Sequence, residues 1–404
     1  MRIPIIIWLL SVFTLPGHAQ RITITGKIMD RETGEVLPFA SVGIQGKSIG
    51  TISNLQGEFD FHIPMEYRND ILVISMLGYN NFEAPVWSVS DKLLMVELNR
   101  STTVLNEVVV RDSLSGGDIL RIALSRIEVN YPMQPFLMEG FYRDVKKVAG
   151  TYISLLEAAV EIYDDDYSEP RNKYKLRERV RLVELRKSVG YESRFTTFFD
   201  QDNLLEDLLL HNNIRYRQIE AREEMFSGMN READSYYNGH EIFVIAHTQQ
   251  YLLKIFIDKQ TYSVVHLEYE TGSSNELVGK KKNLLGRFSG LRKTIDFREV
   301  NGKMYLSYLS MTTRVSWHDR KSNEMKFETE LSQQLLINDV KPGAVERIGT
   351  TERMRNYGLQ YQDRPYNKSF WDNYNLIKDT PLDKQILEDL EKVAPLHKQF
   401  EGKH

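Results

Sequence analysis

The rhythm of hydrophobic and polar positions changes several times along the chain, and each change marks an element. Between Ile22 and Leu98, short runs rich in β-branched and aromatic residues recur at close spacing, separated by Gly, Asn and Asp. Phe59, Phe61 and Ile63 alternate with Asp60 and His62, the period of a strand buried on one face. The predicted strands are 22–29, 40–45, 49–53, 58–63, 71–76, 82–86 and 93–98. Ile71-Leu72-Val73-Ile74 is apolar on both faces and reads as a central strand. Asp30-Arg31-Glu32-Thr33-Gly34, Gly57 and Gly78 supply turns, with glycine where a positive φ is needed. Seven short strands in this span predict a Greek-key β-sandwich.

A polar break, Ser113-Leu114-Ser115-Gly116-Gly117-Asp118, reads as a linker in which Asp118 caps the next helix. Ile119, Leu120, Ala123, Leu124 and Ile127 recur at helical spacing, and the helix ends before Asn130-Tyr131-Pro132. Residues 135–340 then read as β-rich, with predicted strands 236–246, 251–258, 262–269, 292–300, 303–315 and 327–337. Asn301-Gly302 is the strongest hairpin signal, because both residues tolerate the positive φ of a type I′ turn. Asp258-Lys259-Gln260-Thr261 and Tyr237-Asn238-Gly239-His240 suggest two more turns, and the Leu-dense 203–210 reads as a helix. The strands form a long antiparallel meander curved around something. Its inner face is lined by Phe243, Ile245, Leu253, Ile255, Ile257, Val265 and Leu267. That face is a plain packed core or a seat for an apolar ligand; alternation reports burial and does not separate the two. In the tail, 341–404, Phe370-Trp371 reads as a docking anchor, and a helix opening at Pro381 places Ile386, Leu387, Leu390 and Val393 on one face.

The chain is thus mainly β, in five parts: 1–19, 20–111, 112–134, 135–340 and 341–404. The first part has its own chemistry. Met1-Arg2, an apolar run from Ile3 to Leu15, and Pro16-Gly17-His18-Ala19 have the form of an export signal cleaved after Ala19. The run is too short to span a bilayer, and no cysteine follows it to take a lipid. Cysteine is absent altogether, which with export fits a bacterial periplasm, or either face of the outer membrane, better than a disulfide-forming secretory route. A net charge of -4 with the two signs well mixed gives no footprint for nucleic acid.

Motifs that would carry catalysis are weak. Gly46-Lys47-Ser48-Ile49-Gly50 has the letters of a nucleophile elbow, but that turn needs a strand before it and a helix after it, and strands flank it here. The best hydrolase candidates, Ser48, His240 and His247, have no sequence context that ties them together. None of the nine histidines is followed by Glu three residues later, and His240-Glu241 lacks the second His of a zinc helix. No catalytic, cofactor or metal residue is therefore assigned. Asp164-Asp165-Asp166 offers oxygens to calcium without spaced ligands, so a solvated turn is the better reading. Residues 171–187 are rich in Arg and Lys with acidic residues interspersed, which suits an exposed strand face more than a lipid headgroup site.

Several segments carry a resemblance. Gly26-Lys27-Ile28, Gly34-Glu35, Leu37-Pro38-Phe39-Ala40-Ser41-Val42, Ile49-Gly50-Thr51, Asn54-Leu55-Gln56-Gly57-Glu58-Phe59 and Leu77-Gly78-Tyr79 resemble the carboxypeptidase regulatory-like domain, a transthyretin-like β-sandwich. Leu105-Asn106-Glu107-Val108-Val109-Val110 resembles the run that follows this domain in TonB-dependent receptors of Bacteroidota-type bacteria, or is the last sandwich strand. Residues 251–258 with Asn301-Gly302-Lys303-Met304-Tyr305 resemble periplasmic lipoprotein-carrier proteins, whose half-open barrel holds acyl chains. The absence of a strong catalytic motif points to a non-enzymatic envelope protein whose sandwich is an interaction or scaffolding module. The resemblances imply an envelope protein or outer-membrane complex as partner, and the carrier-like strands and abundant aromatic residues allow a lipid or glycan as ligand. An accessory role in TonB-dependent uptake, and a hydrolase without a motif, are the alternatives.

Overall fold

The computed structural model describes residues 21–402 apart from 91, 102–113, 193, 200–202, 344, 355–357 and 379–380. The export signal expected at 1–19 and the run 105–110 lie outside the described residues.

The first strands form a sandwich. β1 (Arg21–Asp30), β4 (Glu58–Pro64) and β7 (Leu94–Leu98) make one sheet in the order β4-β1-β7; β2 (Ser41–Ile44), β3 (Gly50–Ile52), β5 (Ile71–Ser75) and β6 (Phe82–Pro85) make the other, β3-β2-β5-β6. Alternate residues point between the sheets, so Ile24, Ile28, Phe59, Phe61, Ile63, Leu72 and Ile74 fill a common core at 0 % exposure. β5 is central, yet it is not apolar-buried on both faces: Ile71 and Val73 stay half-buried while Leu72 and Ile74 are enclosed. Asp30, read from sequence as a turn residue, is buried and accepts Tyr79 Oη at 2.8 Å, Arg100 Nε at 2.7 Å and the Glu32 and Thr33 amides. Burial opposes its charge, but these donors outweigh it and hold its carboxyl well below the usual range.

The larger sheet has 12 strands. β8 (Phe136–Val148), β9 (Thr151–Asp164) and β10 (Arg179–Lys187) run as one meander. A second begins at β11 (Asn230–Arg231), β12 (Ser235–Tyr237), β13 (His240–His247), β14 (Leu252–Asp258) and β15 (Val264–Thr271). It continues through β16 (Leu277–Lys281), β17 (Leu284–Val300), β18 (Lys303–Asp319) and β19 (Met325–Pro342). The two meanders are joined by antiparallel pairing of β19 with β8, so the order is β10-β9-β8-β19-β18-β17-β15-β14-β13-β11. The sequence reading missed β8 and β9 as strands and took β10 for an exposed face. β8 and β9 are buried on both faces, so no alternation marks them, and their charged residues Arg143, Lys146 and Glu157 are buried. In β10, Val180, Leu182 and Leu185 are buried while Arg181 and Arg186 pair with Glu161 and Glu157 on the neighbouring strand.

The register aligns one row across the sheet: Ile245, Ile255, Leu267, Ile295, Leu309, Leu335, Tyr142, Ala158 and Leu185 stand opposite one another in turn. All belong to one apolar cluster, together with Ile119 and Leu120, Leu205 and Leu208, and Phe226 from three helices, Gly116–Ser125, Leu204–Leu210 and Glu223–Gly228. Fully burying each Leu or Ile of this row contributes roughly 1.5–3 kcal/mol, which fastens the sheet to those helices. The first of these helices corrects the linker expectation. Ser115, not Asp118, is its N-cap, with Asp118 closing a capping box, and Gly116 and Gly117 are its first helical residues. Both are buried, and a Cβ on Gly117 would strike the Phe226 backbone.

The adjacent row on the other face is Phe256, His266, Asp296, Tyr308, Leu336, Phe141 and Ala159. The sandwich and the tail cover it: Ile52, Trp371 and Ile377 join Phe141, Tyr308 and Leu336 in one cluster. Trp371 is 3 % exposed, with the Arg186 guanidinium 4.5 Å from its ring. The helix Pro381–Leu390 seats Ile386 and Leu390 against Val145 and Leu155, but it ends before Val393, which is 68 % exposed rather than part of that face.

Candidate binding cleft

Where the sandwich meets the sheet, the two surfaces do not close, and a cavity of about 340 Å³ remains. This is within the range of small-molecule sites. Strand alternation decides what faces it. With Ile295, Phe297 and Leu309 turned to the core, Thr294, Asp296 and Arg298 of β17 and Tyr308 and Ser310 of β18 point into the cleft. His266 and Glu268 of β15 stand beside them, and Tyr237 of β12 closes one end. The opposite wall is the sandwich: Phe39, Ser41, Thr51, Ile52, Ser75, Met76 and Leu77. The Gly78 amide donates to the Tyr236 carbonyl at 2.7 Å and ties the two walls together.

His266 is gripped from both sides. Its Nδ1 is 2.5 Å from Asp296 Oδ1 and its Nε2 is 3.2 Å from Glu268 Oε1. Burial disfavours the charged ring, but the charge and hydrogen bond of Asp296, then those of Glu268, outweigh it and push the imidazole up to about 9. At neutral pH it is a cation with both nitrogens occupied.

Arg298 is different. Its Nη2 donates to the Ile337 carbonyl at 3.0 Å, its Nε is buried without a partner, and among the described residues it makes no ion pair. Burial pulls its pKa down to about 10, against the opposing influence of Asp339 and Tyr237, so it remains charged. The guanidinium lies against Gly50, where any Cβ would collide with it. Thr51 Oγ1 is likewise buried without a partner. Phe39 stacks on Tyr308 at 5.8 Å and holds a φ of 61°, a conformation that bulky residues adopt only under constraint.

The residues singled out from sequence lie elsewhere. Of the proposed inner-face set, Phe243, Ile245, Leu253, Ile255, Ile257, Val265 and Leu267 all fall in the helix-filled cluster at 7 % exposure or less, and Val265 alone also borders the cleft. Ser48 donates to the Asp339 carboxylate, His240 Nδ1 is 2.5 Å from Asp258, and His247 stacks on Tyr251 at 4.7 Å. His240 and His247 stand at opposite ends of β13, about 23 Å apart at the rise of a strand. The fold does not bring these two together. Asp164, Asp165 and Asp166 are each taken by a different arginine, Arg215, Arg347 and Arg177, and no group of three or more potential metal ligands occurs among the described residues. The cleft residues escaped the sequence reading because polar positions such as His266, Asp296 and Arg298 occupy the alternate places that an ordinary half-exposed strand gives to solvent.

A β-sandwich packed on one face of a 12-stranded antiparallel sheet whose other face packs on helices, with a mixed polar and apolar cleft between sandwich and sheet, defines a two-part β protein. Residues 24–110 match the family of the CarboxypepD_reg-like domain. Over 97 residues the chain is 35 % identical to the TonB-dependent receptor SusC of Bacteroides thetaiotaomicron; that stretch is 24 % of this chain and 9 % of the receptor. Among solved structures, the MucA/MucB complex of Pseudomonas aeruginosa is matched at 12 % identity over 57 % of this chain and 99 % of that one, with a TM-score of 0.19. A putative membrane-associated protein of unknown function from Bacteroides fragilis is matched at 15 % over 80 % and 99 %, with a TM-score of 0.16. Lipovitellin is matched at 7 % over 67 % and 36 %, with a TM-score of 0.26. At such scores none of the three defines the fold or the function. No helix among the described residues is long and apolar enough to cross a membrane.

Proposed function

We propose that this chain is a non-enzymatic protein of the bacterial cell envelope, that it serves a TonB-dependent uptake system, and that the cleft between sandwich and sheet is its ligand site. The envelope assignment is supported by the domain shared with SusC. The binding assignment is carried by one observation, the cavity of about 340 Å³ enclosed between sandwich and sheet, and the paired nitrogens of His266 argue against catalysis there. A catalytic base needs a pKa near the working pH and an open nitrogen facing the nucleophile. His266 sits far above neutrality, and Glu268 occupies the nitrogen opposite Asp296. A His–Asp pair in a cleft is what a hydrolase would need, but here the second carboxylate turns the pair into a fixed polar wall. The sandwich then acts as a rigid half of the site and as the surface that meets an envelope partner.

The test is cross-linking of the tagged full chain in the bacterium that encodes it, followed by purification from the outer membrane. Recovery of a TonB-dependent receptor in near-equal amount is the expected result. A chain that fractionates outside the envelope, or that cross-links to no receptor, overturns the assignment.

A further inference from the structure

Arg298 gives the cleft a chemical preference. Moving a guanidinium out of water without a counter-charge is costly, and proteins pair nearly all such groups. The acidic groups nearby are otherwise engaged. Asp296 holds His266, Glu268 holds the other side of the same ring, and Asp339 accepts from Ser48 and from the Val340 amide. What remains near Arg298 is the Ile337 carbonyl, the Gly50 backbone, the Tyr237 hydroxyl and the Asp339 carboxylate, whose charge is felt without an ion pair among the described residues. The fork of a guanidinium matches a carboxylate in two parallel hydrogen bonds, and Arg298 borders the cavity with Gly50 backing its Nη1 and the Ile337 carbonyl the sole partner of its Nη2 among the described residues. Beyond it the cleft is bounded by Phe39, Met76, Leu77 and Leu336, an apolar lining with an aromatic stack at Phe39–Tyr308.

Resting on the reading of the cleft as a ligand site, we propose that its ligand is a small organic carboxylate with an apolar body, its carboxylate on Arg298 and its body between Phe39 and Leu336. The side chain of Arg298 is the specificity-determining group, and the His266 imidazolium, held between Asp296 and Glu268, stands at another part of the lining.

Calorimetric titration of the full chain with phenylacetate and with its neutral isostere phenylacetamide tests this. Hydrogen bonds to a charged group change affinity by roughly tenfold or more, so the acid binds at least about tenfold tighter than the amide. Arg298→Gln removes that preference. Gly50→Ala, which drives a Cβ into the guanidinium, also removes it, and reads the same contact if the first variant fails to fold by thermal melting. Equal binding of acid and amide to the native chain overturns the carboxylate assignment and leaves the cleft as a site. Acid binding that neither folded variant weakens places the ligand elsewhere and overturns both, as does binding of neither probe.

Discussion

Replacing Asp296 with Asn tests the electrostatics of the cleft most sharply. The ordinary imidazole titrates near 6.5, and His266 is pushed up to about 9 by Asp296 at 2.5 Å and Glu268 at 3.2 Å, against the burial that opposes charge. At about 1.36 kcal/mol per pH unit, that gap corresponds to about 3 kcal/mol favouring the charged ring in the folded state. The side chain of His266 is 16 % exposed and that of Asp296 30 %, so screening reduces this to about 1–3 kcal/mol. The folded value lies above the unfolded one. The contribution is therefore complete below pH 6.5, declines from 6.5 to about 9, and is gone above. Removing a carboxylate at this distance lowers a neighbouring imidazole by roughly 1–3 pH units. Proton–carbon NMR of the His266 ring from pH 5.5 to 10 reads the titration, and urea unfolding at pH 6.5 and 9 reads the stability. The native chain loses stability over that interval, and Asp296→Asn loses much less. A native His266 that titrates near 6.5, or a variant that titrates with the native protein, refutes the locked imidazolium.

Three further outcomes follow from other parts of the fold. Burial and the charge of Asp164 push the Glu178 carboxyl up to about 7, so its share of stability is present below pH 4.5 and is lost as pH rises through 7; Glu178→Gln flattens that loss in unfolding curves at pH 5 and 7.5. Trp371→Ala empties the seat formed with Phe141 and Arg186 and costs about 3–5 kcal/mol in denaturant unfolding, with faster proteolysis of the tail; an unchanged midpoint counts against the tail as an anchor. Ser115→Ala removes one half of the capping box and costs about 1 kcal/mol, whereas a linker serine would be neutral in the same measurement.

The sandwich was legible because each strand buries one face: Phe59, Phe61 and Ile63 alternate, and Gly57 and Gly78 sit at positive φ of 72° and 84°. The hairpin at Asn301-Gly302, with φ of 51° and 74°, was legible for the same local reason. The rest depends on contacts between distant segments. Gly116 and Gly117 read as a linker because nothing local reveals the Met229 and Phe226 backbones that press on them. β8 and β9 disguise themselves by burying charge: Arg143 and Arg186 both pair with Glu157, 14 and 29 residues away. The cleft was the least visible part. His266 and Asp296 are 30 residues apart, and Arg298 faces Gly50 of the other half of the molecule. Only the strand register and the docking of the sandwich make them one site.

The central claim is that this cleft holds a small molecule and does not transform it. Native mass spectrometry of the intact chain, purified from the envelope of the bacterium that encodes it, measures both halves of that statement. The native protein should carry one adduct whose mass is unchanged over hours of incubation, and Arg298→Gln should lose it. A bare native chain, an adduct that persists in the folded variant, or an adduct that gives way to a product of different mass would contradict the account.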